Sequence, residues 1–258
     1  MRYGTEFITH FRQEFPRIIQ QLNEVYLQAI AFGQQRIANE EAKRFMLHGV
    51  ARRLGLITRS ALGIFEGYPP ERVQPLPREQ LENVNINLHA FILHCNVIQD
   101  NLAWCYVKEF GLVLDRREVS LFHARLQQRL PQQVQDYLNN DDLQSWRNTY
   151  STEYRDALAH RIPAYVPPSQ LNQEDALRSN ALQAVFNEGM RVGDFHAVIA
   201  AQTEMNALGE ASPFFMHDLG SDQHVLHPQI LCDALTVIEL YTVVTDNWAP
   251  PLPFPAVP

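Results

Sequence analysis

Arg155, Asp156, His160 and Arg161 fall within seven positions just ahead of a proline-rich break, in the stretch TEYRDALAHRIPAYVPP. Arginine stays cationic and its planar fork fits phosphate oxygens. Histidine exchanges protons near neutral pH and serves as a general acid or base. Without an obligatory metal, these types suit cleavage of a phosphodiester by an RNA strand's own 2′-hydroxyl. His160 would move the protons, and Arg155 would stabilise the charge that develops on the phosphorane. A spacing of five sets the two side chains about 140° apart around an ideal helix. A shared site therefore requires unwinding at His160, or a second subunit that supplies the complementary group across a two-fold axis. The plainer reading is a solvated helix end, with Arg155 paired to Asp156 or Glu153 and His160 capping the C-terminus.

The elements that must position these residues read as helices. Phe7, Phe11, Phe15, Ile18, Leu22, Val25 and Ala29 step by four and three, which marks one face of a long amphipathic helix that Pro16 should kink or restart. A second helix is expected from the cap Asn39, with Glu40 and Glu41 in its first turn, to the stop at 66–70. The third follows Pro77, carries Val84, Leu88, Phe91, Cys95, Ile98, Leu102 and Cys105 in one seam, and is closed by Gly111. Shorter helices are expected at about 120–130 and 132–138. Another, capped by Asn140 or Asp141, should end at or just past His160, because Ile162 precedes a proline. Residues 173–189 read as helix, FHAVIAAQTEM and SPFFMHD as two short strands of a hairpin, and HPQILCDALTVIELYTVVTDNW as a final helix. The tail APPLPFPAVP is too rich in proline to be helical and is expected to drape over the surface or stay disordered. The expected class is all-α: an up-and-down helical bundle in a single domain over 1–258. Its core spans about 1–168, and a less regular C-terminal extension with a short β-hairpin covers about 169–258.

The string Arg155-Asp156-Ala157-Leu158-Ala159-His160 resembles the R-x4-6-H signature of the HEPN superfamily of helical domains, in which a polar residue follows the arginine. The resemblance covers those six residues and the helical context up to about Pro168. It implies a HEPN-like bundle that forms a homodimer with the motif at the dimer cleft. It also implies a metal-independent endoribonuclease of a toxin, defence or RNA-processing system, with an antitoxin or nucleotidyltransferase as partner. On that resemblance Arg155 clamps the phosphate, His160 is the acid/base, Asp156 orients the arginine, RNA is the substrate and no cofactor is needed. Two other classes compete. One is a non-catalytic helical accessory protein that binds a partner, a nucleotide or RNA. The other is a metal-dependent hydrolase using His217, Asp218, His224 and His227, although the HExxH pattern is missing there.

The bulk properties constrain these readings. A net charge of -8 over 258 residues means that any nucleic-acid contact must come from a local basic patch. Arg44, Arg52, Arg53 and Arg59 give the second helix such a side, though the spacing looks diffuse. Trp104, Tyr106 and Lys108 offer a base-stacking surface or simply core, and His89 and His94 read as hydrogen-bonded helix residues. Three cysteines without CxxC spacing argue against a disulfide framework or a cysteine-rich zinc site. The N-terminal segment carries acids early and lacks a long apolar stretch, and no run approaches a membrane span, so a cytoplasmic location without membrane contact is expected.

Overall fold

The computed structural model describes residues 2–218, 220 and 222–253. The chain starts with α1 (Thr5–Gln35), which runs unbroken through Pro16. Its seam of Phe11, Ile18, Leu22, Val25 and Ala29 is buried as the periodicity requires, while Phe7 is left exposed. Packing along this seam holds the helix together despite the amide hydrogen bond that a proline removes. The Asn39 side chain then accepts from the amides of Glu41 and Ala42 and starts α2 (Glu40–Arg44). The helix widens into a π-helical segment, Phe45–Ala51, and continues as α3 (Arg52–Gly67).

The central strut is α4 (Arg78–Glu109). Every member of its predicted seam, from Val84 to Cys105, is at most 2% exposed. Gly111 follows in the left-handed region, with φ 61°, and ends it. The region predicted as a helix at about 120–130 is mostly turns. It contains only one α-helical turn, α5 (Ala124–Gln127), and a 3-10 turn at Arg116–Glu118 precedes it. α6 (Gln132–Leu138) follows, and the Asn140 side chain caps α7 (Asp141–Ser145). A second π-helical segment, Trp146–Ser151, leads into α8 (Thr152–His160).

The segment FHAVIAAQTEM is a helix, not a strand. After α9 (Gln173–Val192), Gly193 adopts φ 77° and Asp194 accepts from the amide of Ala197, which starts α10 (Phe195–Asn206). Capping at the turn therefore outweighs the β-branched residues in a run whose apolar pattern is ambiguous. The expected strand in SPFFMHD forms, but its partner follows it rather than precedes it: β1 (Phe214–Phe215) pairs antiparallel with β2 (His224–Val225).

The last helix, α11 (Leu226–Asp246), is by length and mean hydropathy of 1.2 able to cross a membrane, contrary to the expectation that no segment could. It packs against α1, α3, α4 and α6 and buries Asp233, so it serves as a core helix here. The first residues of the tail lie along the body. Tyr106 Oη donates to the Ala249 carbonyl, and the amide of Leu252 donates to the Arg129 carbonyl, whose own guanidinium Nε donates back to Leu252. The rest of the tail, 254–258, lies outside the described residues.

Candidate nucleic-acid interface

Between 93 and 104, α4 leaves a strip of side chains open to solvent or half-buried: Leu93, His94, Val97, Asp100, Asn101 and Trp104. These positions recur at three and four residues and so form one face of the helix. Two neighbours run alongside it, both antiparallel. On one side, α3 and the first π segment place Gly49 so close that an added Cβ would stand 2.9 Å from Asn101, while Gly63 lies against Asn87. On the other side, the buried Ser151 hydroxyl donates to Asn96 Oδ1 at 2.6 Å, and the amide of Val166 donates to Asn85 Oδ1. His89 bonds the Ala164 carbonyl. The exposed strip of α4 is thus the floor of a groove, and each wall contains a π-helical segment. Such widened turns are common at functional sites.

The walls are basic. Arg44, His48 and Arg52 follow one another at i, i+4 and i+8, and with Phe45, Arg53, Asn101 and Glu41 they line a cleft of about 640 Å³. Arg53 spans wall and floor. Its Nε donates to Asn101 Oδ1 at 2.7 Å, and its Nη1 lies 2.8 Å from His94 Nδ1. Burial first, and the Arg53 charge second, push the His94 pKa below its usual value, so the imidazole is neutral and accepts this bond. From the opposite wall, Arg147 and Arg155 reach toward the same stretch of α4. Asp100 is the acid they share with Arg53: the three cations pull its pKa down, yet burial outweighs them and the net direction is upward. Arg147 is pressed the other way, by burial first and by its neighbour Arg155 second. Arg147 and Arg155 thus repel each other beside a half-buried carboxyl, an arrangement that an incoming anion would relieve.

An aromatic surface adjoins the cations. The Trp104 and Phe45 rings stack with centroids 5.7 Å apart and planes 13° from parallel, and the Lys108 ammonium sits 5.8 Å from the Trp104 ring. Lys108 also bridges to Glu41 at 2.7 Å. Tyr106, grouped with Trp104 in the sequence reading, points into the core at 1% exposure and takes no part.

The predicted site residues divide. Arg155 is half-exposed and holds Asp156 through two contacts, Nε–Oδ1 at 3.0 Å and Nη2–Oδ1 at 2.8 Å. His160 is the last residue of α8 and is exposed, with regular helix up to it, so the helix ends where expected and unwinding at His160, one of the two routes to a shared site, does not occur. Within one chain the structure brings Arg155 to Arg147 and Asp100, not to His160. Of the histidines of the C-terminal loop, His227 lies apart, whereas His217 and His224 both pack on the Tyr154 ring. His227 is fully buried between the Tyr3 hydroxyl and the Tyr68 carbonyl, and His217 contacts Glu153 at 3.1 Å. His224 lies among the Tyr150, Tyr154 and Phe215 rings. Among the described residues no three His, Cys, Asp or Glu side chains are grouped to hold a metal.

Sequence reasoning missed His48, Asp100, Asn101 and Arg147. The i, i+4, i+8 spacing of Arg44, His48 and Arg52 was a usable signal for the first of these. The others become neighbours only through the packing of α3 and α8 on α4. No family model matches the chain, and no curated protein or solved structure matches it.

Proposed function

We propose that this protein binds single-stranded RNA along the α4 groove. Phosphates would lie against Arg52, Arg53, Arg147 and Arg155, and a base would stack at the Trp104–Phe45 surface. The observation that carries this reading is the cleft of Arg44, His48, Arg52 and Arg53 beside the stacked Trp104–Phe45 rings, in a chain whose overall charge is -8. Local cations set beside an exposed aromatic are the combination that tracks a backbone while accepting any base. Because the proposed contacts neutralise phosphates, binding should weaken with salt.

Fluorescence anisotropy with a short single-stranded RNA tests it. Arg52→Ala and Arg155→Ala, both at accessible positions, are each expected to weaken binding by about 10-fold and to lower the salt slope by about 1. Unchanged affinity in both variants would rule the groove out.

Cleavage is the second reading, and it rests on the HEPN resemblance. In its support, Asp156 grips the Arg155 guanidinium as an orienting acid should. His160 would then have to approach Arg155 from a second copy of the chain. An RNA cleavage assay in the presence of chelator separates the two readings. Cleavage lost in His160→Ala supports the nuclease, and no difference from wild type leaves binding alone.

A further inference from the structure

Arg44, His48 and Arg52 share one side of the groove wall, and the π-helical segment between them helps to align them. In a regular α-helix each step of four residues drifts by about 40°, so the outer two would stand about 80° apart. The widened turns of Phe45–Ala51 hold more residues per turn and take back part of that drift. His48 Nδ1 accepts from Arg52 Nη2 at 3.2 Å, which leaves the ring hydrogen on Nε2 as a further donor. Arg44, His48 and Arg52 are exposed, and Arg53, fixed by Asn101 and His94, completes the set. Among the described residues none of these three arginines is ion-paired. The acid that lines their cleft, Glu41, is held by Lys108.

The cleft is closed at one end. The Glu41–Lys108 bridge, 2.7 Å long, ties α2 to α4 and so joins wall to floor. Beyond it the Glu109 carboxylate accepts from the amides of Ala38 and Asn39, which pins the loop before α2 onto the end of α4. In the other direction the floor continues from Asn101 through Val97 toward Leu93. A strand that follows the floor toward the bridge meets an acid and a wall, and has to end there.

We infer that this cleft holds the terminal phosphate of the strand, a phosphomonoester on its 5′ or 3′ end, against Arg44, His48, Arg52 and Arg53. The inference rests on the RNA-binding reading of the groove and adds what occupies its closed end. Charge and hydrogen bonding both favour a monoester over an internal phosphate. A monoester carries about −1.5 to −2 charges near neutral pH and offers three acceptor oxygens, whereas a linking phosphate carries about −1. Three guanidinium forks and an imidazole N–H supply more donors than a linking phosphate can use. The cleft of about 640 Å³ is large enough to enclose a small ligand, and the adjoining Trp104–Phe45 rings would take the end base.

Competition against a fluorescent single-stranded RNA tests this. The unlabelled competitors are three strands of one sequence, phosphorylated at the 5′ end, phosphorylated at the 3′ end, or ending in hydroxyls at both. Wild type is expected to bind at least one phosphorylated strand about 10-fold more tightly than the hydroxyl-ended strand, and the preferred end gives the direction of the bound chain. In Arg44→Ala that ratio should fall to about 2 or less, whatever the affinity for the hydroxyl-ended strand becomes. Arg44 is exposed, so helical circular dichroism of the variant should match wild type. In Arg155→Ala, on the opposite wall, both affinities should fall together and the ratio persist. A wild type that does not distinguish the strands, or a preference that survives Arg44→Ala, overturns the inference and leaves the groove reading standing. A preference lost equally in both variants traces to overall charge and also overturns it. No binding of any strand overturns both.

Discussion

Replacing Asp233 by alanine is expected to destabilise the protein by ~3–5 kcal/mol, the cost class of breaking a buried charged hydrogen-bond network. Asp233 is 1% exposed on α11, in the middle of the core. One carboxylate oxygen accepts from Trp146 Nε1 at 2.8 Å and from Gln229 Nε2 at 2.7 Å, and the other accepts from the Tyr150 hydroxyl at 2.8 Å. Alanine leaves three donors without a partner, two of them on the second π segment, and also opens a cavity. Each orphaned buried donor costs about 1–3 kcal/mol, partly recovered where the site relaxes or water enters. Chemical denaturation of wild type and variant measures the difference. A loss below about 1 kcal/mol would show that the network contributes little.

The second large effect is a pH dependence that stays hidden until one of two groups is removed. Burial raises the Asp233 pKa to about 6, against the hydrogen bonds from Trp146, Gln229 and Tyr150 that lower it. Burial lowers the His227 pKa to about 4, partly offset by its bond to the Tyr68 carbonyl and by Glu71. The signs oppose each other. An acid with a raised folded pKa takes up its proton first in the folded state, so folding gains as pH falls from about 6 to below 4. A histidine with a lowered folded pKa is protonated first in the unfolded state, so folding loses as pH falls from about 6.5 to 4. Each shift is worth ~3 kcal/mol, so the two nearly cancel in wild type. Asp233→Asn should therefore add a steep loss of stability on acidification from pH 6.5 to 4, and His227→Gln should add a gain. Denaturation midpoints across that range give the slopes. Surface carboxylates contribute equally to all three proteins and drop out of the comparison. Parallel profiles for the three would refute the opposed pair.

The long seams were legible because one short rule governs them. Steps of three and four placed Val84 through Cys105 of α4 on the buried side, and local chemistry alone gave Asn39 as a cap and narrowed the other to Asn140 or Asp141, of which Asn140 caps. The run 195–205 was misread because its short apolar, β-branched pattern fits strand and helix equally, while the deciding residue, Asp194, lies just outside it. At the candidate site, the Arg155–Asp156 pair is a contact between adjacent residues and was readable. The gathering of Arg53, Arg147 and Arg155 around Asp100 was not, since it depends on how α3 and α8 flank α4, and no spacing within one segment encodes that. The five-residue gap from Arg155 to His160 was read correctly as too wide for one straight helix, and α8 is regular across it.

The first π segment has a consequence at the level of the gene. A π turn is an α-helix that holds one residue more than its regular ladder needs. Loss of a single codon within 45–51 would let the helix close into ordinary α form without breaking it. Everything on its N-terminal side would then turn by about 100° relative to α3. Arg44 would swing away from Arg52, and the cleft they share would disperse while the helix itself survived. This wall of the groove therefore depends on the length of the segment as much as on its residues, and a one-residue deletion could silence the site while most neighbouring substitutions leave it intact.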